Sequence, residues 1–127
     1  MSAGNAVQAE IIATIEALGL VDGIYDGPPA RASFPYVVID AGNEADWSHK
    51  SGKGRELLIA VTLWDDVPER LATIADAVER SVAALGGITG WSLASLVFLR
   101  RRTVRDVAGP WATALDFRAR LLADAAI

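Results

Sequence analysis

One stretch constrains this chain more than any other: Arg55-Glu56-Leu57-Leu58-Ile59-Ala60-Val61-Thr62-Leu63-Trp64-Asp65. Nearly every residue from Leu57 to Trp64 is apolar, and several are β-branched or aromatic. A run this short and this rich in β-formers makes a poor helix, so it reads as a strand buried on both faces. A polar loop punctuated by glycine, residues 46–54, precedes it, and a second β-like run, residues 36–40, lies before that loop. The two runs predict a hairpin with a long, mobile, charged connection. The rest of the chain reads as cover for this hairpin or as an extension of its sheet.

Residues 5–19 predict a helix. Val7, Ile11, Ile15 and Leu18 recur at helical spacing with Ile12 beside them, Asn5 is placed to cap the start, and Gly19 to end it. Residues 20–35 are irregular, with room for a short strand at 23–25; Pro28-Pro29 removes two backbone donors there. Pro35 suits the first residue of a strand covering 36–41 and reaching 43. After the central strand, Asp66 is the expected N-cap and Pro68 the first-turn residue of a second helix. Leu71, Ile74, Ala75, Val78, Val82 and Leu85 form its apolar stripe, and Gly86-Gly87 stops it. A third strand covers 91–103; Arg101 points away from Arg100 and Arg102, because successive strand residues face opposite sides. A turn at 104–110 leads to a last strand, 111–122, with Leu115, Phe117, Ala119 and Leu121 on a dry side and Asp116, Arg118 and Arg120 on a wet or partner-facing side. The expected fold is α+β: a single domain over 1–127, with one mainly antiparallel sheet of about four strands in two hairpins and both helices on one face.

A chain of 127 residues, 52% hydrophobic, can fill one core without covalent staples. It has no cysteine, which excludes disulfides, thiolate metal sites and cysteine catalysis. The net charge of −4 argues against a general nucleic-acid binder. The first residues show no secretory-leader pattern, and no apolar run approaches the roughly 20 residues that span a bilayer.

The search for chemistry returns little. The one histidine, His49, has Asp46, Ser48 and Ser51 as loop neighbours, but nothing nearby predicts an oxyanion hole. Ser51-Gly52-Lys53-Gly54 departs from a phosphate loop twice, with Trp47 and Gly54 where glycine and Ser or Thr belong. Asp65-Asp66 is better explained as a turn and cap than as a metal pair. No catalytic, cofactor-binding or metal residue is therefore expected. Basic residues, by contrast, cluster: Lys50, Lys53 and Arg55 in the first hairpin, and Arg100, Arg101, Arg102 and Arg105 in the second. Such clusters serve as solvated hairpin tips or as contacts to acidic neighbours. Trp47, in a polar loop with little core to enter, points to an interface. The expected assembly residues are Trp47, Lys50, Lys53, Arg55, Arg100, Arg102, Arg105, Arg118 and Arg120.

Tyr25-Asp26-Gly27-Pro28-Pro29, Phe34-Pro35-Tyr36-Val37-Val38-Ile39, Asp46-Trp47-Ser48, Gly52-Lys53-Gly54-Arg55-Glu56, a strand ending at Trp64, and Trp111 leading into Asp116-Phe117-Arg118-Ala119 follow one another in a telling order. In that order and spacing the chain resembles the small tail-completion proteins, also described as tail terminators, of long-tailed bacteriophages and gene transfer agents. The resemblance covers nearly the whole chain and implies a structural virion protein, not an enzyme, with no cofactor. It implies a homo-oligomeric ring, commonly a hexamer, assembled in the bacterial cytoplasm and sited at the head-proximal end of the tail. Such a ring caps the tail tube protein, stops tube polymerisation, meets the head-side connector or stopper protein, and lets DNA pass through its lumen without any membrane partner. A different head-tail connector or a minor tail protein is the alternative. Under the first reading the loop at 46–55 is an assembly arm, poorly ordered in a lone subunit and ordered in the ring.

Overall fold

The computed structural model describes residues 1–124. The first helix, α1 (Ala3–Leu18), starts where Ser2 accepts the Asn5 backbone N–H through its hydroxyl at 3.1 Å. Asn5, the expected cap, is thus the capped residue, because Ser2 offers a side-chain oxygen one turn earlier. Gly19 ends the helix in the left-handed region at φ 65°, as expected. Val7, Ile11 and Ile15 are buried, joined by Ala3 and Ala6.

Five strands follow: β1 (Gly23–Tyr25), β2 (Tyr36–Asp46), β3 (Gly54–Asp65), β4 (Trp91–Arg105) and β5 (Trp111–Ala123), with α2 (Pro68–Ala83) between β3 and β4. The sheet order is β1-β2-β3-β5-β4. The expectation of about four mainly antiparallel strands needs correcting in two ways. Strand β1 is a full fifth member, and it pairs parallel to β2, so the sheet is mixed. The two expected hairpins, β2–β3 and β4–β5, are present. They join through β5, which runs antiparallel to β3 along its whole length and leaves β4 at the edge. Strands β3 and β4 are therefore parallel to each other, with α2 as the crossover between them.

Strand β3 is not buried on both faces. Leu57, Ile59, Val61 and Leu63 are shut under the helices, while Glu56, Leu58, Ala60, Thr62 and Trp64 alternate with them and keep partial exposure. The reason is layering: α1 packs on β2 and α2 on β3, β5 and β4, and the two helices touch each other, so one face is covered. Beneath them Leu57, Ile59, Leu63, Leu115, Phe117 and Leu121 interleave with Val7, Ile11, Ile15, Leu71 and Val78 as one apolar cluster.

Helix α2 starts at Pro68, with Val67 in the cap position and no capping side chain of its own. The expected cap, Asp66, does not serve. Asp65 instead makes the turn that leads into the helix: its carboxylate accepts the Val67 N–H at 3.3 Å. The helix ends at Ala83, one turn short of the Gly86-Gly87 stop, with the Ala84 N–H bonded to the Arg80 carbonyl.

Candidate assembly surfaces

The uncovered face of the sheet collects the even-numbered residues of β3 and β5 and their register partners. Arg118 lies between Leu58 and Val97, Arg120 between Glu56 and Ser95, and Asp116 between Ala60 and Arg100. Leu58, Val97 and Leu99 are 44%, 38% and 46% exposed. Leu99 occupies a register shift of β4 between Phe98 and Arg100. A depression of about 470 Å³ opens here, lined by Asp40, Asn43, Leu58, Leu99, Arg100 and Asp116. Its lining joins a charged pair to apolar walls, which suits contact with another surface.

Most of the arginines on or near this face are engaged by the chain itself. Arg120 Nε donates to Glu56 at 2.7 Å, and Arg100 Nε to Asp116 at 2.6 Å. Arg55 lies 3.9 Å from Glu44. Arg101, on the helix side as strand alternation requires, reaches Asp76 at 2.6 Å and Glu79 at 3.5 Å and ties β4 to α2. Arg105 sits over the Trp111 ring, 5.4 Å from its centre. Among the described residues Lys50, Lys53, Arg102 and Arg118 have no ion-pair partner.

The two basic clusters do not form one patch. The tip of the β2–β3 hairpin lies beside Leu122, and the β4–β5 turn beside Asp65, at opposite ends of β5. Arg120 and Trp47 come together at the first end, with Arg55 beside them in sequence but on the opposite side of β3, next to Glu44; Arg105 is at the other end.

The connection of the first hairpin has the expected extent and is closed by backbone bonds. Strand β2 runs to Asp46 and β3 starts at Gly54. The Trp47 N–H bonds to the Gly54 carbonyl at 2.9 Å and the His49 N–H to the Gly52 carbonyl at 2.8 Å. Trp47 folds back: the Arg120 guanidinium sits 5.6 Å from its ring centre, and the His49 ring meets it edge-on at 4.5 Å. Ser48 donates its hydroxyl proton to Asp46 at 2.6 Å and accepts the Gly54 N–H at 3.1 Å. That hydroxyl bond holds the Asp46 carboxyl below the usual range. The serine is thus committed to the aspartate and the turn, not to the histidine. Among the described residues no group of three or more His, Cys, Asp or Glu side chains could hold a metal ion, and no helix is long and apolar enough to cross a membrane.

Sequence reasoning missed an aromatic row at the far end of the open face. Phe34 stacks on Tyr36 at 5.7 Å and Tyr36 on Trp64 at 6.2 Å, with Tyr25 edge-on to Tyr36 at 6.0 Å. Tyr36 and Trp64 are register partners across β2–β3, so the hairpin pairing itself was the available signal.

Several known proteins share this arrangement. A family model described as tail completion protein gp17 matches residues 5–122. A chain in the virion of a native gene transfer agent particle has the same fold, with TM-score 0.67 and 24% identity over 95% of both chains. The gp17 protein of bacteriophage SPP1 also shares it, with TM-score 0.54 and 18% identity over 96% of this chain and 91% of that one. Among curated proteins, none matches the sequence. The chain belongs to the tail completion protein gp17 family.

Proposed function

We propose that this protein is a tail terminator. Copies of it close into a ring, a hexamer in this reading, at the head-proximal end of the tail. The ring caps the last ring of tail tube protein, stops its polymerisation and presents a surface to the head-side connector, and DNA passes through its lumen.

The observation that carries this reading is the family match over residues 5–122. Two features of the chain support it. One sheet face is left open and carries charged and apolar groups suited to contact, while the other is closed by helices. The net charge of −4 favours passage of DNA over adhesion, since a basic lumen would hold phosphates by releasing their counterions. In this reading Trp47, Lys50, Lys53, Arg55, Arg100, Arg102, Arg105, Arg118 and Arg120 belong to surfaces that meet neighbouring subunits, the tube or the connector.

Electron microscopy of particles made without this protein tests the proposal. Overlong or headless tails are the expected result. Tails of normal length beside filled heads that leak DNA would instead identify a head-side stopper.

A further inference from the structure

The sheet has two free edges, and they differ. Strand β4 ends the sheet on one side and has no strand along its outer edge. On the other side β1 covers only Tyr36, Val37 and Val38 of β2, so the outer edge of β2 has no strand beside it from Ile39 to Asp46. Outside the sheet ladders no backbone-to-backbone hydrogen bond among the described residues reaches 39–46 or 92–105. An exposed edge with unpaired N–H and C=O groups is a template for another strand.

Bulges narrow these edges to two regular stretches. The register of β2 slips between Asp40 and Asn43, and that of β4 slips between Leu93 and Ser95 and again between Phe98 and Arg100. A bulge bends its strand and interrupts the ladder. Residues 43–46 of β2 and 100–105 of β4 are therefore the lengths able to extend it. Both stretches are exposed, apart from half-buried Arg101. They carry opposite charge: Glu44 and Asp46 with no cation on the first, four arginines with no anion on the second.

We propose that residues 100–105 of one copy pair antiparallel with residues 43–46 of the next, so that the sheets of neighbouring copies continue as one wall. This rests on the ring reading and names its subunit interface. The occupant is a second copy because one chain supplies both edges, opposite in charge and in direction. Strand β2 is antiparallel to β3, and β3 is parallel to β4. A neighbour set in the same sense, with its helices on the same side, therefore brings its β2 antiparallel to β4. Strand β1 blocks that neighbour alongside residues 36–38 and forces the pairing toward 43–46. Closing a sheet on itself requires a stagger of this kind. The two edges differ, so the contact is head-to-tail, and head-to-tail contacts generate rings or filaments rather than closed dimers.

Residues directly opposite each other in an antiparallel pair share a face of the sheet. Glu44 and Asp46 lie on the helix side, and so do Arg101 and Arg105. Arg101 is already held by Asp76 and Glu79. Arg105 rests on the Trp111 ring and has no ion pair among the described residues. Glu44 meets Arg55 only at 3.9 Å. Setting Arg105 opposite Glu44 also puts Asp46 on its diagonal, so one guanidinium faces two carboxylates.

Hydrogen exchange and charge reversal test this on the full chain, alone and with tail tube protein, with sedimentation velocity reporting assembly. Assembly is expected to slow exchange roughly tenfold at alternate amides of 43–46 and 100–105, those that point out of the sheet. Glu44→Arg and Arg105→Glu are each expected to weaken self-association roughly tenfold, because like charges then face each other. The chain carrying both changes is expected to recover it. Both residues are exposed, circular dichroism checks the fold of each variant, and the exchange measurement needs no variant. Assembly that leaves exchange at both edges unchanged overturns this interface and leaves the ring reading standing. So do two single variants that assemble like wild type, or a double variant no better than either single. A wild-type chain that stays monomeric under both conditions overturns the ring reading, and this interface with it.

Discussion

Arg70 grips the carboxylate of Asp65 at two points, Nε to Oδ2 at 2.7 Å and a terminal nitrogen to Oδ1 at 2.6 Å. Asp65 is 0% exposed, yet it is the last residue of the central strand and also accepts the N–H of Val67, the residue just before α2. One side chain therefore joins the sheet to the helix that crosses over it. Burial alone would raise the Asp65 pKa, but the Arg70 bonds and the Val67 N–H outweigh it and hold the carboxyl below its usual range. Arg70→Ala leaves this carboxylate buried with one weak donor. A loss of about 3 kcal/mol is expected in urea unfolding at pH 7, the low end for a broken buried pair because Arg70 itself is half-exposed.

The sign of the pH dependence follows from the same pair. A carboxyl with a depressed folded pKa contributes stability that is fully present above its unfolded value, about 3.9, and is lost as pH falls through the folded value. The stability gap between wild type and Asp65→Asn should be widest near neutrality and shrink once the pH drops below about 4. Urea unfolding at pH 7, 4 and 3 measures it; a gap of equal size at all three values would show that the charge of Asp65 does not matter.

Gly54 is fixed by crowding rather than by an unusual backbone angle. A Cβ there would run into the Trp47 carbonyl and come within 3.0 Å of the Leu121 carbonyl. Both obstacles are backbone in the paired region where β2, β3 and β5 meet, so neither yields easily. Gly54→Ala should cost about 1–3 kcal/mol, whereas Gly52→Ala, with open space around it, should change thermal stability little. Equal melting temperatures for the two variants would sink this assignment.

How much of this was legible beforehand depended on which interactions are local. The helix stripes, the Gly19 stop, the dry side of β5 and the split of Arg101 from Arg100 all follow from periods of 3.6 and 2, and each is found. The cap expected of Asp66 is not made, because the chain turns on Asp65, which is buried and gripped by Arg70 while Asp66 stays exposed, and Val67 takes the cap position without a side-chain bond. The two-sided burial expected of β3 failed because apolar residues such as Leu58 and Trp64 can line an uncovered face as well as a covered one. The parallel pairing of β1 and the insertion of β5 between β3 and β4 are long-range choices that no window of residues reports. Among the expected assembly residues, sequence could name the arginines but not which ones their own chain already neutralises.

Packing and surface charge should separate cleanly in their cost. Phe117 is fully buried and meets Phe98 edge-on at 5.5 Å, so Phe117→Ala should cost about 3–5 kcal/mol. Arg101 makes two ion pairs, but its partners Asp76 and Glu79 are partly exposed, and Arg101→Ala should cost under about 1 kcal/mol. Chemical denaturation of the two variants side by side decides this; a larger loss from Arg101 would mean that the β4–α2 tie, not the apolar cluster, limits stability.

The hairpin tip gives the last test. Arg120 holds Glu56 on one side and the Trp47 ring on the other, and the Trp47 and His49 amides are bonded within the hairpin. In the lone subunit these two amides should therefore exchange slowly with solvent, while those of Lys50 and Ser51 exchange fast. Arg120→Ala removes the group that presses Trp47 onto the sheet, and exchange at Trp47 and His49 should rise about fivefold, the effect of losing roughly 1 kcal/mol of local stability. Hydrogen exchange followed residue by residue reads this directly. If Trp47 and His49 exchange as fast as Lys50 in the wild-type subunit, the tip is an arm that orders only on assembly, and its fold-back onto Arg120 is not a property of the isolated chain.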